Sequence, residues 1–222
     1  MTVAVDLWVW RLDVDEQEQK RVASHLSHDE RARADRFVFP RDRQRFTVAR
    51  GHMREILGAR LAYSPHALAF DYSPNEKPSL REGRGCQFNL SHAESMAALV
   101  ACDGFEIGVD IEHVRPLKED IAERYFSRRE IEALRALPAV EQTVAFFRCW
   151  TRKEAIVKAI GEGLTRPLDS FDVSVSWAAV LERIDGDDAA AWRLAHFEPA
   201  PGYVGAIACR TGGVDIKVAR RA

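Results

Sequence analysis

Two carboxylates two residues apart, Asp110 and Glu112, end the apolar run F-E-I-G-V-D-I-E (105–112). In a β-strand, residues i and i+2 project from one face, so both acids would point the same way. Like charges at that spacing repel, and each raises the other's pKa unless a cation or donors compensate. A divalent cation is the economical compensation, and an all-oxygen ligand set suits Mg²⁺ or Mn²⁺ better than zinc. Alone, the pair reads more simply as two solvated strand-end carboxylates. A second group lies in W-T-R-K-E-A-I-V-K-A-I-G-E-G-L (150–164), where Glu154 and Lys158 are spaced i, i+4 and share one helix face. There a carboxylate could bind metal or take a proton while the ammonium meets a phosphate; the plain alternative is a helix ion pair worth a few tenths of a kcal/mol. Third, F-N-L-S-H (88–92) ends in Ser91-His92, a hydroxyl and an imidazole at a turn that could cradle phosphate. No G-x-S-x-G accompanies them, so a hydrolase triad is not indicated.

These groups need strands and helices to hold them. Residues 3–11 alternate as a strand should. Ser27-x-x-Glu30 is a capping box predicting a helix through Phe37, and Ser127-x-x-Glu130 predicts another ending before Pro138. Helical periodicity runs from Arg41 to about Leu61, and again from Val140 to Ile160, where Gly161 and Gly163 stop it. The glutamate of Thr151-x-x-Glu154 is not a cap, because apolar periodicity continues upstream through Phe147 and Val144. Between the two long helices, 64–85 reads as loop and 86–91, 95–102 and 105–112 as strands. The last two flank Asp103-Gly104, a hairpin signal. Segments 171–177, 191–197, 203–209 and 214–218 read as further antiparallel strands. The fold class expected is α+β: two similar α/β lobes related by a pseudo-twofold, antiparallel strands packed by helices, and the site between them. The boundary is expected between an N-terminal lobe, 1–106, and a C-terminal lobe, 107–222.

Composition sets outer bounds. The chain has 222 residues, 46% hydrophobic and 30% charged, with a net charge of −2. That describes an ordinary globular protein and argues against a nucleic-acid binder. A local excess of +6 over 31–60, nine arginines against three acids, marks a candidate anion-binding face, although a solvated helix surface is the simpler reading of a charge run. The four cysteines form no C-x-x-C pair, which predicts a reducing cytosol. The N-terminus lacks a basic n-region and carries Asp6 inside its apolar stretch, unlike a signal peptide. No run is long enough for a membrane span.

The order F-N-L-S-H, G-V-D-I-E, W-T-R-K-E-x-x-x-K-A-x-G-x-G-L, with Y-F-S-R-R-E at 125–130, resembles the Sfp-type 4′-phosphopantetheinyl transferases. The likeness spans roughly 88–169, extends to D-R-F-V-F-P-R-D and the arginines of 27–57, and beyond about 180 rests on strand pattern. The resemblance implies transfer of phosphopantetheine from coenzyme A to a serine of an acyl or peptidyl carrier protein. It further implies that Asp110, Glu112 and Glu154 hold Mg²⁺ (or Mn²⁺), with Glu154 also a general base. Lys158 would meet the coenzyme A phosphates, Ser91 and His92 the 3′-phosphate and pyrophosphate region, and Lys77 the adenylate; Arg41, with Arg45 or Arg50, would add charge. Glu76 and Ala93 depart from the family's usual Gly and Ser. Glu130 matches an acid also proposed as base in the family, but it is equally the N3 residue of a capping box and stays outside the catalytic set. A monomer in the cytoplasm, serving polyketide, nonribosomal peptide or siderophore synthesis, with no nucleic-acid or membrane partner, completes the expectation. Two rivals are a non-catalytic coenzyme A or carrier-protein binding module and a metal-dependent phosphodiesterase or nuclease.

Overall fold

Alternating apolar residues make β1 (Thr2–Arg11) a strand with Val3, Val5 and Leu7 turned to the interior. The computed structural model describes residues 1–75, 77–83, 85–117 and 121–221; Glu76, singled out above, lies outside them. After β1 come α1 (Glu16–Ala23), α2 (His28–Ala34), α3 (Pro40–Leu61), the short β2 (Phe70–Tyr72) and β3 (Pro78–Leu80), β4 (Cys86–Ala93), β5 (Met96–Asp103) and β6 (Glu106–His113). Then follow α4 (Ile121–Tyr125), α5 (Arg128–Arg135), α6 (Ala139–Ile160), β7 (Phe171–Val173), β8 (Leu181–Ile184), β9 (Trp192–Phe197), β10 (Tyr203–Arg210) and β11 (Asp215–Arg220). One sheet has the order β11-β1-β5-β4, a second β6-β10-β9. Their inner faces meet in a shared core of Val5, Leu7, Ala98 and Val100 against Ile107, Val109, Ile111 and Ile207. Met53 and Leu57 of α3 cover the outer face of the first sheet through Phe88, Leu99 and Ala101. On the second sheet α6 packs its Ala155 and Ala159 in one core with Ala206 and Ala208 of β10. The layers therefore run helix, sheet, sheet, helix, the α+β arrangement expected.

Both long helices are 22 residues, and each ends on a left-handed residue, Ala62 (φ 57°) and Gly161 (φ 83°). Each is preceded by a short helix with a complete capping box, Ser27/Glu30 on α2 and Ser127/Glu130 on α5. In each case the box glutamate is buried and clasps a buried cation of the long helix. Glu30 holds Arg54, and Glu130 holds Lys153 at 2.8 Å. This matched pair of locks is an internal repeat in the chemistry, carried by few enough residues to escape a comparison of letters.

Four expectations are corrected. Strand β6 does not pair with β5 across Asp103-Gly104, because both edges of β5 are filled, by β1 and β4. The turn instead passes the chain to the second sheet, where β6 pairs with β10 along its length. Strand β11 runs parallel to β1 and joins the first sheet, so 214–218 is not part of an antiparallel set. Helix α2 stops at Ala34 rather than Phe37, and the strand expected over 171–177 ends at Val173. Among the described residues no helix is long and apolar enough to cross a membrane.

Candidate active site

Gly108 is what lets the site assemble. It shares the α6-facing side of β6 with Asp110 and Glu112, and a Cβ there would stand 2.0 Å from the Ala155 carbonyl oxygen. Without that Cβ, α6 lies directly on the strand and brings Glu154 and Lys158 over the two acids. The Lys158 ammonium donates to Asp110 Oδ1 at 2.6 Å and to Ser91 Oγ at 3.1 Å. Ser91 in turn donates to Asp110 Oδ1 at 3.0 Å.

The seam between the sheets explains why Ser91 is there. Strand β6 leaves its second edge unpaired by backbone, and side chains of β4 meet it. Val109 N–H donates to Asn89 Oδ1 at 2.9 Å, and Ile111 N–H to Ser91 Oγ at 3.3 Å. Both side chains are buried, so they answer donors that would otherwise be stranded. F-N-L-S-H is thus a strand whose polar residues zip one sheet to the other, with Ser91 also bonded to Asp110. The sequence reading missed Asn89, although its place two residues before Ser91 puts it on the same face.

A cavity of about 390 Å³ is lined by Leu90, Ser91, His92, Asp110, Glu112, Trp150, Glu154 and Lys158, among others. Two further cavities share the lining residue Leu90 with it. One runs past His92 to Arg33, Arg36, Arg50, Phe46 and Tyr72; the other runs past Lys158 to Asn75, Lys77 and Gly161. Trp150 was not singled out by sequence, yet Trp150, Glu154 and Lys158 are spaced i, i+4, i+8 and share one helix face.

Burial, then the charges of Asp110 and Glu112, raises the Glu154 carboxyl above its ordinary pKa, with Lys158 opposing. Burial likewise raises Glu112, with Asp110 adding and Arg115, bonded at 2.9 Å, opposing. The His92 residue is exposed, yet the protein around its ring, then the Lys158 charge, lowers its pKa. Lys77 is lowered by burial, and its ammonium donates to the Ala159 carbonyl at 2.7 Å while Asn75 Nδ2 donates to the Gly161 carbonyl. Asn75 and Lys77 therefore cap the C-terminal end of α6, where a cation suits the helix dipole.

The residues fit a hard cation in kind. The donors are carboxylate oxygens, two of them carrying raised pKa values, and buried Asp110 Oδ2 has no partner. Among the described residues no three His, Cys, Asp or Glu side chains stand gathered in metal-holding geometry, and Lys158 and Arg115 now occupy the two strand acids.

The arginine-rich stretch proves mostly self-compensated. Arg54 is 2% exposed on Glu30. Arg45 is bidentate to Asp13 at 2.8 and 2.9 Å and also reaches Glu94; Arg60 meets Asp6 and Asp103; Arg43 meets Asp35. Most of these acids come from elsewhere in the sequence, so the +6 excess does not survive folding as a free anion-binding face. Arg41 is exposed beside Asp42, and neither it nor Arg45 lines any of these three cavities. Glu130 is held by Lys153, Val173 N–H and Ser127 N–H, and it does not line the Asp110 cavity.

Comparison with known proteins agrees along the chain. A model of the 4′-phosphopantetheinyl transferase superfamily matches residues 106–208, and one described as 4′-phosphopantetheinyl transferase, N-terminal, matches 10–104. The 4′-phosphopantetheinyl transferase HetI of a Nostoc species is 39% identical, covering 92% of this chain and 86% of its own. The 4′-phosphopantetheinyl transferase Sfp of Bacillus subtilis is 29% identical over 86% of this chain and 84% of its own. The chain is a transferase enzyme. It belongs to the 4′-phosphopantetheinyl transferase superfamily, and phosphopantetheinyl transfer is its chemistry.

Proposed function

We propose that the donor is coenzyme A and the acceptor a serine of an acyl or peptidyl carrier protein, with adenosine 3′,5′-bisphosphate released. The observation that carries this reading is the convergence of Ser91, Asp110, Glu112, Glu154 and Lys158 on one cavity, beside a second cavity that Arg33, Arg36, Arg50, Phe46 and Tyr72 line with Asp29 and Glu30. Asp110, Glu112 and Glu154 would hold Mg²⁺, or Mn²⁺ in its place. Bound there, the cation would neutralise charge on the pyrophosphate.

The protein's own groups carry the rest. Lys158, anchored by Asp110 and Ser91, stands ready to donate to phosphate oxygens and stabilise charge that grows as the bond to the leaving group breaks. The carrier hydroxyl oxygen forms the new bond to the β-phosphorus and gives its proton to an ionised carboxylate; the bridging oxygen leaves with the bisphosphate. Glu154 is the carboxylate assigned to take the proton, since it lines the cavity on a helix facing the two strand acids. His92 can donate one ring N–H to the donor. In this reading Lys77, Ser91 and His92 from the N-terminal part and the acids and Lys158 from the C-terminal part meet across a division near residue 106. Arg41 and Arg45 would have to leave Asp42 and Asp13 to reach a ligand, whereas Arg33, Arg36 and Arg50 already line the second cavity, Arg50 while paired with Glu30 at 2.7 Å. A cytosolic monomer serving polyketide, nonribosomal peptide or siderophore synthesis fits the family.

Incubating the chain with coenzyme A, Mg²⁺ and a panel of apo-carriers tests the proposal. The intact mass of at least one carrier should rise by one phosphopantetheine; no change across carriers of every class would overturn it.

A further inference from the structure

On the side of α6 turned away from the catalytic acids lies a second concentration of unanswered charge. Arg148 and Arg152, one turn apart, are 3% and 0% exposed. Buried cations are ordinarily paired, yet neither forms an ion pair among the described residues. The Nε–H groups of both lack a hydrogen-bond partner. Arg152 spends its remaining donors on neutral oxygens, Ser174 Oγ at 3.1 Å and the Trp177 carbonyl at 3.2 Å. Among the described residues the Arg148 side chain forms no hydrogen bond and stacks on the face of Trp177, whose ring centre is 4.3 Å from its guanidinium carbon. Beside them His196 buries both ring nitrogens with no side-chain partner, only the Gly205 backbone standing near, and meets Trp177 edge-on at 5.4 Å. The acids whose fields reach the group, Glu141 toward Arg148 and Glu198 toward His196, oppose the burial only weakly. Burial pushes Arg152 down to about 10 and lowers Arg148 and His196 as well.

Above this cluster Trp177 is 62% exposed. Its backbone is pinned: Ser174 Oγ donates to the Ala178 carbonyl at 2.6 Å and accepts from Val180 N–H at 2.9 Å, while Arg152 grips the loop from below. The indole therefore covers the cluster from a loop held in place by these bonds. A cover over unanswered guanidinium and imidazole donors describes an anion site.

We propose that Arg148, Arg152 and His196 form a binding site for a small oxyanion, a carboxylate or phosphate group, beneath the indole of Trp177. The oxyanion takes the Arg148 donors and one His196 N–H, with Arg152 adding charge and holding the loop. This site is separate from the catalytic cavity, since none of its residues lines that cavity.

The test titrates the full chain with inorganic phosphate, and in parallel with acetate, chloride holding ionic strength constant. Tryptophan emission and the thermal midpoint are read together. Expected is a saturable change in both, kept in Lys158→Ala, where the catalytic cavity is disabled. Trp177→Phe should lose the emission change but keep the rise in midpoint. Arg148→Gln should weaken binding at least about tenfold, since a charge-assisted hydrogen bond is being removed. Should that variant fail to fold, His196→Phe replaces it, with loss of affinity again expected. Response to both anions assigns a general oxyanion site; response to one alone assigns that group. No saturable response in the wild-type chain, or equal responses in Arg148→Gln and His196→Phe, overturns the proposal.

Discussion

Replacing Gly108 with alanine should damage stability and turnover together. The new Cβ would lie 2.0 Å from the Ala155 oxygen and 2.5 Å from the Ala159 nitrogen, where ordinary contact begins near 3.4 Å. Both atoms are helix backbone, so no rotamer relieves the clash, and α6 must lift by about 1.4 Å, the difference between 3.4 and 2.0. Overpacking of this kind costs about 1–3 kcal/mol or more. At about 3 kcal/mol, a chain of this size should lose roughly 6–12 °C in Tm. The lift also carries Glu154 and Lys158 away from Asp110. Misplacement of catalytic groups by about 1 Å can reduce rate on the order of 100-fold. Differential scanning calorimetry and carrier-modification rates measure the two effects. A variant that melts with the wild type and turns over within about threefold of it would show that contact between α6 and β6 does not position the site.

Three further outcomes follow from named contacts. Glu130→Gln leaves Lys153 as an unpaired buried cation and should destabilise by about 3–5 kcal/mol; adding Lys153→Met should recover most of the urea midpoint, which a purely catalytic Glu130 would not allow. Asn89→Leu strands the Val109 N–H at the sheet seam and should cost about 1–3 kcal/mol in chemical denaturation; an unchanged midpoint would discount the seam. Glu154→Gln should lower turnover by orders of magnitude while the metal-free protein melts higher than wild type at pH 7–8. The folded-state pKa of Glu154 is raised, so its contribution to stability is fully present below the unfolded carboxylate pKa and lost as pH rises through the folded value. The gain from removing the charge should therefore vanish near pH 4, and a variant that melts lower at pH 8 would refute the burial argument.

Local patterns in the sequence were legible wherever the cause is local. The two capping boxes, the 22-residue helices and the same-face acids rest on spacings of two to four residues. Helix α1 escaped because E-Q-E-Q-K-R-V-A is almost wholly polar and buries only Val22. The hairpin expected at Asp103-Gly104 failed because turn chemistry cannot report that β1 and β4 already occupy both edges of β5. The parallel pairing of β11 with β1 joins residues more than two hundred positions apart, which no local signal encodes. The site divides in the same way. The i, i+4 spacing gave Glu154 with Lys158, but that Lys158 grips Asp110 depends on Gly108, whose missing Cβ matters only once α6 crosses β6. The arginine run misled for the complementary reason: Asp13, Glu30, Asp6 and Asp103 neutralise it from other segments.

The central claim is that the cavity of Asp110, Glu112, Glu154 and Lys158 moves phosphopantetheine from coenzyme A to a carrier serine. Intact-mass spectrometry of one responsive apo-carrier, incubated with coenzyme A and Mg²⁺ and either wild-type or Asp110→Ala enzyme, tests it most directly. Full conversion to the phosphopantetheinylated carrier is expected with wild type, and conversion slower by orders of magnitude with a variant whose circular dichroism spectrum is unchanged. Conversion at the wild-type rate by folded Asp110→Ala would contradict it.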